Sequence, residues 1–370
     1  MSNLIKCIEN GVDEGLITND QAKVATDLFK SLRDNYRKNL GDDAADAAAA
    51  RDTFDQLKAE ANHKKRLKLK QIQRFRSLEK NLIDFGADNR PGKAMQALVS
   101  RDPRANFQNV EGVYQSTRKQ AFSEMDAILA RYRKGVVGQT KYSAELPTLV
   151  REIFNEDTGN VAAKEFADAW KRVSDALRKK ANAAGMRIPK RLDWGLPQSH
   201  DMLKVRLVTA EQWKEFIRDK LDFEKMIDES TGLPMTAESL EIALTEVYET
   251  ITSAGLNKIK SPQFRNASSS LANRRIDHRF LVFKSADDWL LYQQKFGEPD
   301  PFATMIRHVE SMSRDIAMLE IFGPNPNAMI AALKTRSKQI VLKNADAESK
   351  LDADFSKFDA MFDIFSGRAN

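Results

Sequence analysis

This sequence predicts a mainly α protein: long helices with coiled-coil-like seams, plus a small two-stranded β element in the central to C-terminal region. Three observations lead there. The chain has only 16 glycines and 11 prolines in 370 residues, well under an average share of about 12%, so turn-formers are too scarce for a many-stranded sandwich or barrel. Charged residues reach 30% against 42% hydrophobic, which suits helices with solvated faces. Apolar residues recur at alternating spacings of three and four over long stretches. A single cysteine, Cys7, excludes an internal disulfide framework and any Cys-based zinc site. There is no run of 18 apolar residues, and Met1–Lys6 has no basic stretch ahead of an apolar core, so transmembrane and secretory readings fail. The net charge of +6 and pI near 9.1 admit a polyanionic partner without requiring one.

Taken in order, Thr18-Asn19-Asp20-Gln21 is a capping-box signature, and a helix is expected from there to Gly41. Asp42 to Phe85 contains neither Gly nor Pro and would make a rod of about 65 Å. Its predicted seam is Ala47, Ala50, Phe54, Leu57 and Ala61, then Phe75, Leu78, Leu82 and Phe85, with Lys64, Lys68 and Gln71 interrupting it. Helix packing or oligomer contacts are expected at Phe54, Leu57, Phe75, Leu78 and Leu82. Gly86 and Arg90-Pro91-Gly92 end this helix. Further helices are expected over Glu111–Arg133 and Val161–Ala184, stopped by Gly135 and Gly185. Asp300-Pro301 reads as an N-cap followed by Pro at the first helical position. The stripe Phe302, Met305, Val309, Met312, Ile316, Leu319 and Phe322 then reads as core.

The centre differs. Met186 to Lys204 shows no helical period, and its Trp194, Leu and Ile content favours order over a linker. An internal echo follows. Lys204–Val208 precedes Thr209-Ala-Glu-Gln-Trp213, and Phe280–Lys284 precedes Ser285-Ala-Asp-Asp-Trp289. Each is a short β-type run, a hydroxyl cap and a tryptophan. The plain reading is two ordinary strand-to-helix transitions; the sharper one pairs the two runs into a small sheet. Three regions are expected: 1–138, helical with the long basic helix; 139–325, helical with the short β-type runs; and 326–370, amphipathic helices. Phe355, Phe358, Met361, Phe362 and Phe365 give the terminal helix so much aromatic surface that a partner chain or further residues are expected to cover it.

The candidate binding surface is the cluster from His63 to Lys80. Lys64, Lys65, Arg66, Lys68, Lys70, Arg74, Arg76 and Lys80 stand there against the single acid Glu79. Such an array tracks phosphates or rests on anionic lipid; alternatively, acids of a neighbouring helix neutralise it. No aromatic platform points to base-specific readout. The histidine–carboxylate pairs His200-Asp201 and Asp277-His278 flank the β-type runs, and a proton-transfer site near His200 and His278 is the enzymatic alternative. Structural hydrogen bonding explains both pairs more simply. No H-E-x-x-H, P-loop, G-x-G-x-x-G or EF-hand is present, so no catalytic residue, metal or cofactor is expected.

One resemblance joins these readings. Arg187-Ile-Pro-Lys, Gly195-Leu-Pro-Gln-Ser-His-Asp201, Arg279-Phe-Leu-Val-Phe, Asp288-Trp-Leu-Leu-Tyr292, Phe296-Gly297 and Phe322-Gly-Pro-Asn-Pro326 together resemble the large internal virion proteins of tailed, podovirus-like phages. The resemblance spans about 140 residues, Arg187–Pro326, and carries no catalytic fingerprint. It implies a non-enzymatic ejection protein, stored in the virion interior and released into the host envelope. Such a protein would form a homo-oligomeric conduit for the genome with other virion or ejection proteins, touching DNA or a membrane surface. The alternatives are a nucleic-acid-associated helical protein using the 63–80 helix, and the enzyme just described.

Overall fold

The computed structural model describes residues 3–85, 90–134, 139–140, 145–186, 188, 190, 194–228, 233–253, 281–341 and 345–366. Two compact units divide inside the long helix, at Lys70/Gln71, rather than at residues 138 and 325. The first holds Met1–Lys70 and Phe223–Leu240, the second Gln71–Asp222 and Glu241–Asn370.

The first unit opens with α1 (Asn3–Asp13) and α2 (Asn19–Tyr36), followed by α3 (Asp42–Asp84), which runs past the unit's end. The predicted capping box at α2 is present: Thr18 Oγ1 accepts from Gln21 N at 3.3 Å, and Thr18 N donates to Gln21 Oε1 at 2.9 Å. The core joins Leu28, Phe29 and Leu32 to Ala49, with Leu4, Ile5, Tyr36, Ala50 and Leu57 packed around it. The buried stripe of α3 here is Ala45, Ala49 and Thr53, not the expected one. Ala47, Phe54 and Ala61 face solvent, Phe54 at 60% exposure. Ala44, Ala45 and Ala47–Ala50 place methyl groups on every side of the helix, so apolar spacing could not choose the face. Tyr36 chooses it by donating a short hydrogen bond to Asp52, while Thr53 satisfies its hydroxyl on Ala49 O at 2.7 Å. Residues 223–240 add a 3-10 turn at Phe223–Lys225 and a two-residue ladder, Ile227–Asp228 with Leu233–Pro234.

In the second unit, the end of α3 packs with α4 (Pro91–Val99), α5 (Val110–Tyr132), α12 (Pro301–Phe322), α13 (Pro326–Val341) and α14 (Ala345–Ser366). Their shared core contains Leu78, Leu82, Met95, Leu98, Phe322, Leu333, Phe355, Phe358 and Phe362. Here Leu78 and Leu82 are buried and Phe75 packs against the same core. The terminal aromatics are a correction. Phe355, Phe358 and Phe362 are covered by this chain's own α4 and α13, so they present no free surface for a partner. Sequence spacing showed the stripe but not its cover, one helix of which, α4, lies more than 200 residues away while the other, α13, directly precedes α14.

The remaining elements are α6 (Leu146–Ile153), α7 (Val161–Ala184), α8 (Met202–Arg206), α9 (Ala210–Arg218), α10 (Ala237–Thr252) and α11 (Ala286–Phe296). The expected pairing of 204–208 with 280–284 does not form. Lys204–Arg206 belong to α8, because Asp201 accepts from Leu203 N and Lys204 N and starts a helix. Val205 is buried while Leu207 is 85% exposed, so the alternation that suggested a strand does not correspond to two faces of a sheet. Residues 281–284 are extended but meet 220–222 instead: Asp222 N donates to Val282 O and Lys284 N to Lys220 O, both at 2.8 Å, around an isolated Leu221–Phe283 bridge. Phe280 lies outside the described residues. The other antiparallel pairing among the described residues of this unit is Arg133–Lys134 with Gln139–Thr140. The caps of the echo are present, Thr209 with Gln212 as a full box and Ser285 on Asp288 N.

Candidate functional site

Lys64, Lys65, Arg66, Lys68 and Lys70 occupy consecutive turns of α3, and all five are exposed. At 100° per residue they point around most of the helix. That arrangement forms because Asp42–Asp84 contains no residue that stops a helix, and Ala, Leu, Lys, Arg, Gln and Glu all propagate one well. Glu60 reaches Lys64 at 2.7 Å, one turn away. Among the described residues no carboxylate lies within ion-pair distance of Lys65, Arg66, Lys68 or Lys70. Neutralisation by a neighbouring helix is therefore not observed there, and the segment keeps its positive potential facing solvent.

The cluster does not continue intact into the second unit. Arg76 is exposed, but Arg74 is half-buried against the end of α12, and burial lowers its pKa against the pull of Glu320. Gly323 makes room for it: a Cβ there would lie 2.6 Å from an Arg74 guanidinium nitrogen, and the glycine's φ of +84° disfavours any side chain. Arg74 is thus a packing residue. Glu79, the one acid of the cluster, is engaged by Arg336 at 2.5 Å. Of the expected packing residues, Leu57, Phe75, Leu78, Leu82, Phe355, Phe358 and Phe362 contribute to cores, while Phe54 stands in solvent with Lys58 Nζ 5.7 Å above its ring.

The proposed His200/His278 site is only half visible, since His278 lies outside the described residues. His200 Nδ1 sits 2.8 Å from the Tyr292 hydroxyl, to which Trp213 Nε1 donates at 3.2 Å. Tyr292 is buried, and burial raises its pKa far above that of a solvated phenol, so it stays neutral and its hydroxyl serves as a fixed hydrogen-bonding hub. Gly195–Asp201, Asp288–Tyr292 and Phe296-Gly297, three of the motifs carrying the resemblance, meet around it, and Phe283 of a fourth packs on its ring, whereas Phe322 lies in the core with Leu78 and Phe362. Trp170 donates to Gly195 O at 2.9 Å, Ser199 Oγ to Gln293 Oε1 at 2.6 Å, Asp201 N to Phe296 O at 2.7 Å and Lys204 Nζ to Gly297 O at 2.9 Å. A Cβ at Gly297 would lie 2.6 Å from Ser199 O, so that glycine permits the close approach of the two segments.

A second polar cluster was missed in the sequence. Asp354, buried in α14, is met by Arg90 Nη2 at 3.3 Å from each carboxylate oxygen, and by Lys93 Nζ at 3.7 Å. Gln96 Nε2 donates to Asp354 O at 2.9 Å. The signal available was an aspartate on the aromatic face of an otherwise amphipathic helix. Among the described residues no group of three or more His, Cys, Asp or Glu side chains gathers as metal ligands, and no helix is long and apolar enough to cross a membrane. Comparison with known family models, curated proteins and solved structures finds no match.

Proposed function

We propose that this chain is a non-enzymatic helical protein of the internal virion (ejection) type, which self-assembles and meets a polyanion through Lys64–Lys70 of α3. The observation that carries the polyanion contact is the set of four exposed cations, Lys65, Arg66, Lys68 and Lys70, with no carboxylate in reach among the described residues. Four like charges within six residues repel one another, and an external polyanion relieves that repulsion while releasing its own counterions. The assignment to the ejection class rests on the motif resemblance over Arg187–Pro326. What supports it in the fold is that the motif segments 195–201, 288–292 and 296–297 pack on one another, with His200 Nδ1 against the Tyr292 hydroxyl.

Two measurements test the proposal. Mass spectrometry of purified phage particles carrying this gene should find the chain inside them; its absence removes the virion assignment. Binding to duplex DNA at two salt concentrations should weaken when Lys64, Lys65, Arg66, Lys68 and Lys70 are replaced by Gln. The slope of log K against log salt should fall by up to about 0.9 per phosphate contact removed. Gln retains helix propensity, so an unchanged affinity and slope would refute the polyanion contact.

A further inference from the structure

We infer that the face of α3 between Phe54 and Leu69 rests on the surface of an anionic lipid bilayer. The inference builds on the polyanion reading above and names the class of partner. At 100° per residue, Phe54, Lys58, Lys65, Lys68 and Leu69 fall within a sector of about 100°. Phe54 is 60% exposed and Leu69 52%. Single exposed apolar residues are ordinary on any protein. These two are set apart by sharing one narrow face with three cations, while the nearby acids Asp55 and Glu60 project outside it and Glu60 is engaged with Lys64.

The chemistry selects the partner. Duplex phosphates reward the lysines but gain nothing from a phenyl ring or an isobutyl group held against them. A bilayer interface rewards both, because aromatic and aliphatic groups enter the headgroup–acyl boundary while lysines extend to lipid phosphates. Lys58, stacked over the Phe54 ring at 5.7 Å, keeps a charge beside the group that would insert. Arg66 points to one flank and Lys64 to the other, while Lys70 points away from this face. No helix-long apolar face is present, so the contact is peripheral and depends on anionic lipid.

The test uses the full chain, sedimented with phosphatidylcholine vesicles that contain or lack phosphatidylglycerol, beside duplex DNA binding. The expected result is binding that phosphatidylglycerol strengthens strongly and that is partly retained in 1 M NaCl. The paired change Phe54→Gln and Leu69→Gln should weaken vesicle binding about tenfold and leave DNA affinity unchanged, with an unaltered melting curve because both sites are exposed. Lys65→Gln with Lys68→Gln should cost about fivefold per charge on vesicles. Indifference of the native chain to phosphatidylglycerol would overturn the inference. So would vesicle binding that ignores the Phe54/Leu69 change and vanishes in salt, even with the polyanion reading intact. A five-glutamine variant that binds DNA as the native chain does would instead sink that underlying reading. A stable dimer that protects Phe54 and Leu69 from solvent would assign the face to a second copy, and the lipid contact would fall.

Discussion

Gly92→Ala should destabilise the protein although it improves local helix propensity. Gly92 is the second residue of α4, and alanine in a helix interior is ordinarily favoured over glycine by about 0.8–1 kcal/mol. Here the new Cβ would lie 2.5 Å from Asp354 Cβ, and 3.1 Å from both Asp354 Oδ2 and Leu351 Cδ1. Asp354 Cβ is anchored to the backbone of α14 and cannot swing aside, so α14 must retreat by about 1 Å to reach ordinary contact. That retreat loosens Leu351, Phe355 and Phe358, which α14 places in the shared core, and lengthens the bonds from Arg90, Lys93 and Gln96. Overpacking of this kind costs about 1–3 kcal/mol, which exceeds the propensity gain. The expected net effect is a loss of up to about 2 kcal/mol, read as a drop of up to about 5 °C in the melting midpoint of the second unit. Amide hydrogen exchange should accelerate in 345–366 while α7 keeps its protection. A variant that melts higher than the native chain would refute the close approach of α4 and α14.

Three further outcomes follow from the same packing. Leu78→Asp should cost several kcal/mol by burying a charge in the core, whereas Phe54→Asp should stay within about 0.5 kcal/mol; equal melting shifts for the two would show that the facing of α3 is misassigned. Tyr292→Phe removes the oxygen shared by His200 and Trp213, and leaving Trp213 Nε1 buried without an acceptor should cost about 1–3 kcal/mol in chemical denaturation. Glu152 accepts from Thr158 N and Oγ1, both at 2.7 Å, and these bonds lower its pKa. Its stabilisation is therefore present above the unfolded-state pKa and is lost as pH falls through the lower folded value. The native chain should lose stability on acidification over that window, and Glu152→Gln should flatten that part of the profile; identical profiles would rule the carboxylate out.

Much of the fold was legible because helix ends are local. Thr18, Asn160, Thr209, Ser285 and Asp300 cap helices with their own side chains, and each cap depends only on residues within one turn. The exposed cations of α3 were legible for the same reason, since no interruption of Asp42–Asp84 competes with the helix. The run 204–208 misled because the alternation of Lys204-Val-Arg-Leu-Val208 outweighed the cap that Asp201 offers just ahead of it.

What the sequence alone determined is the long helices, several of their caps and the concentration of charge at Lys64–Lys70, all products of interactions between near neighbours. Only the tertiary structure decided which face of each helix is covered. It turned the alanine-rich start of α3 onto Ala45, Ala49 and Thr53, took Arg74 out of the basic surface and into the end of α12, and laid α4 and α13 over the terminal aromatics. It also made Gly92 a contact residue within α4 rather than the terminator of α3. The physical reason is common to all four. Periodicity says that a face will be buried, but the identity of its cover is set by close packing between separate helices, some adjacent in the chain and some more than 200 residues apart, where 1 Å of separation decides the sign of the energy.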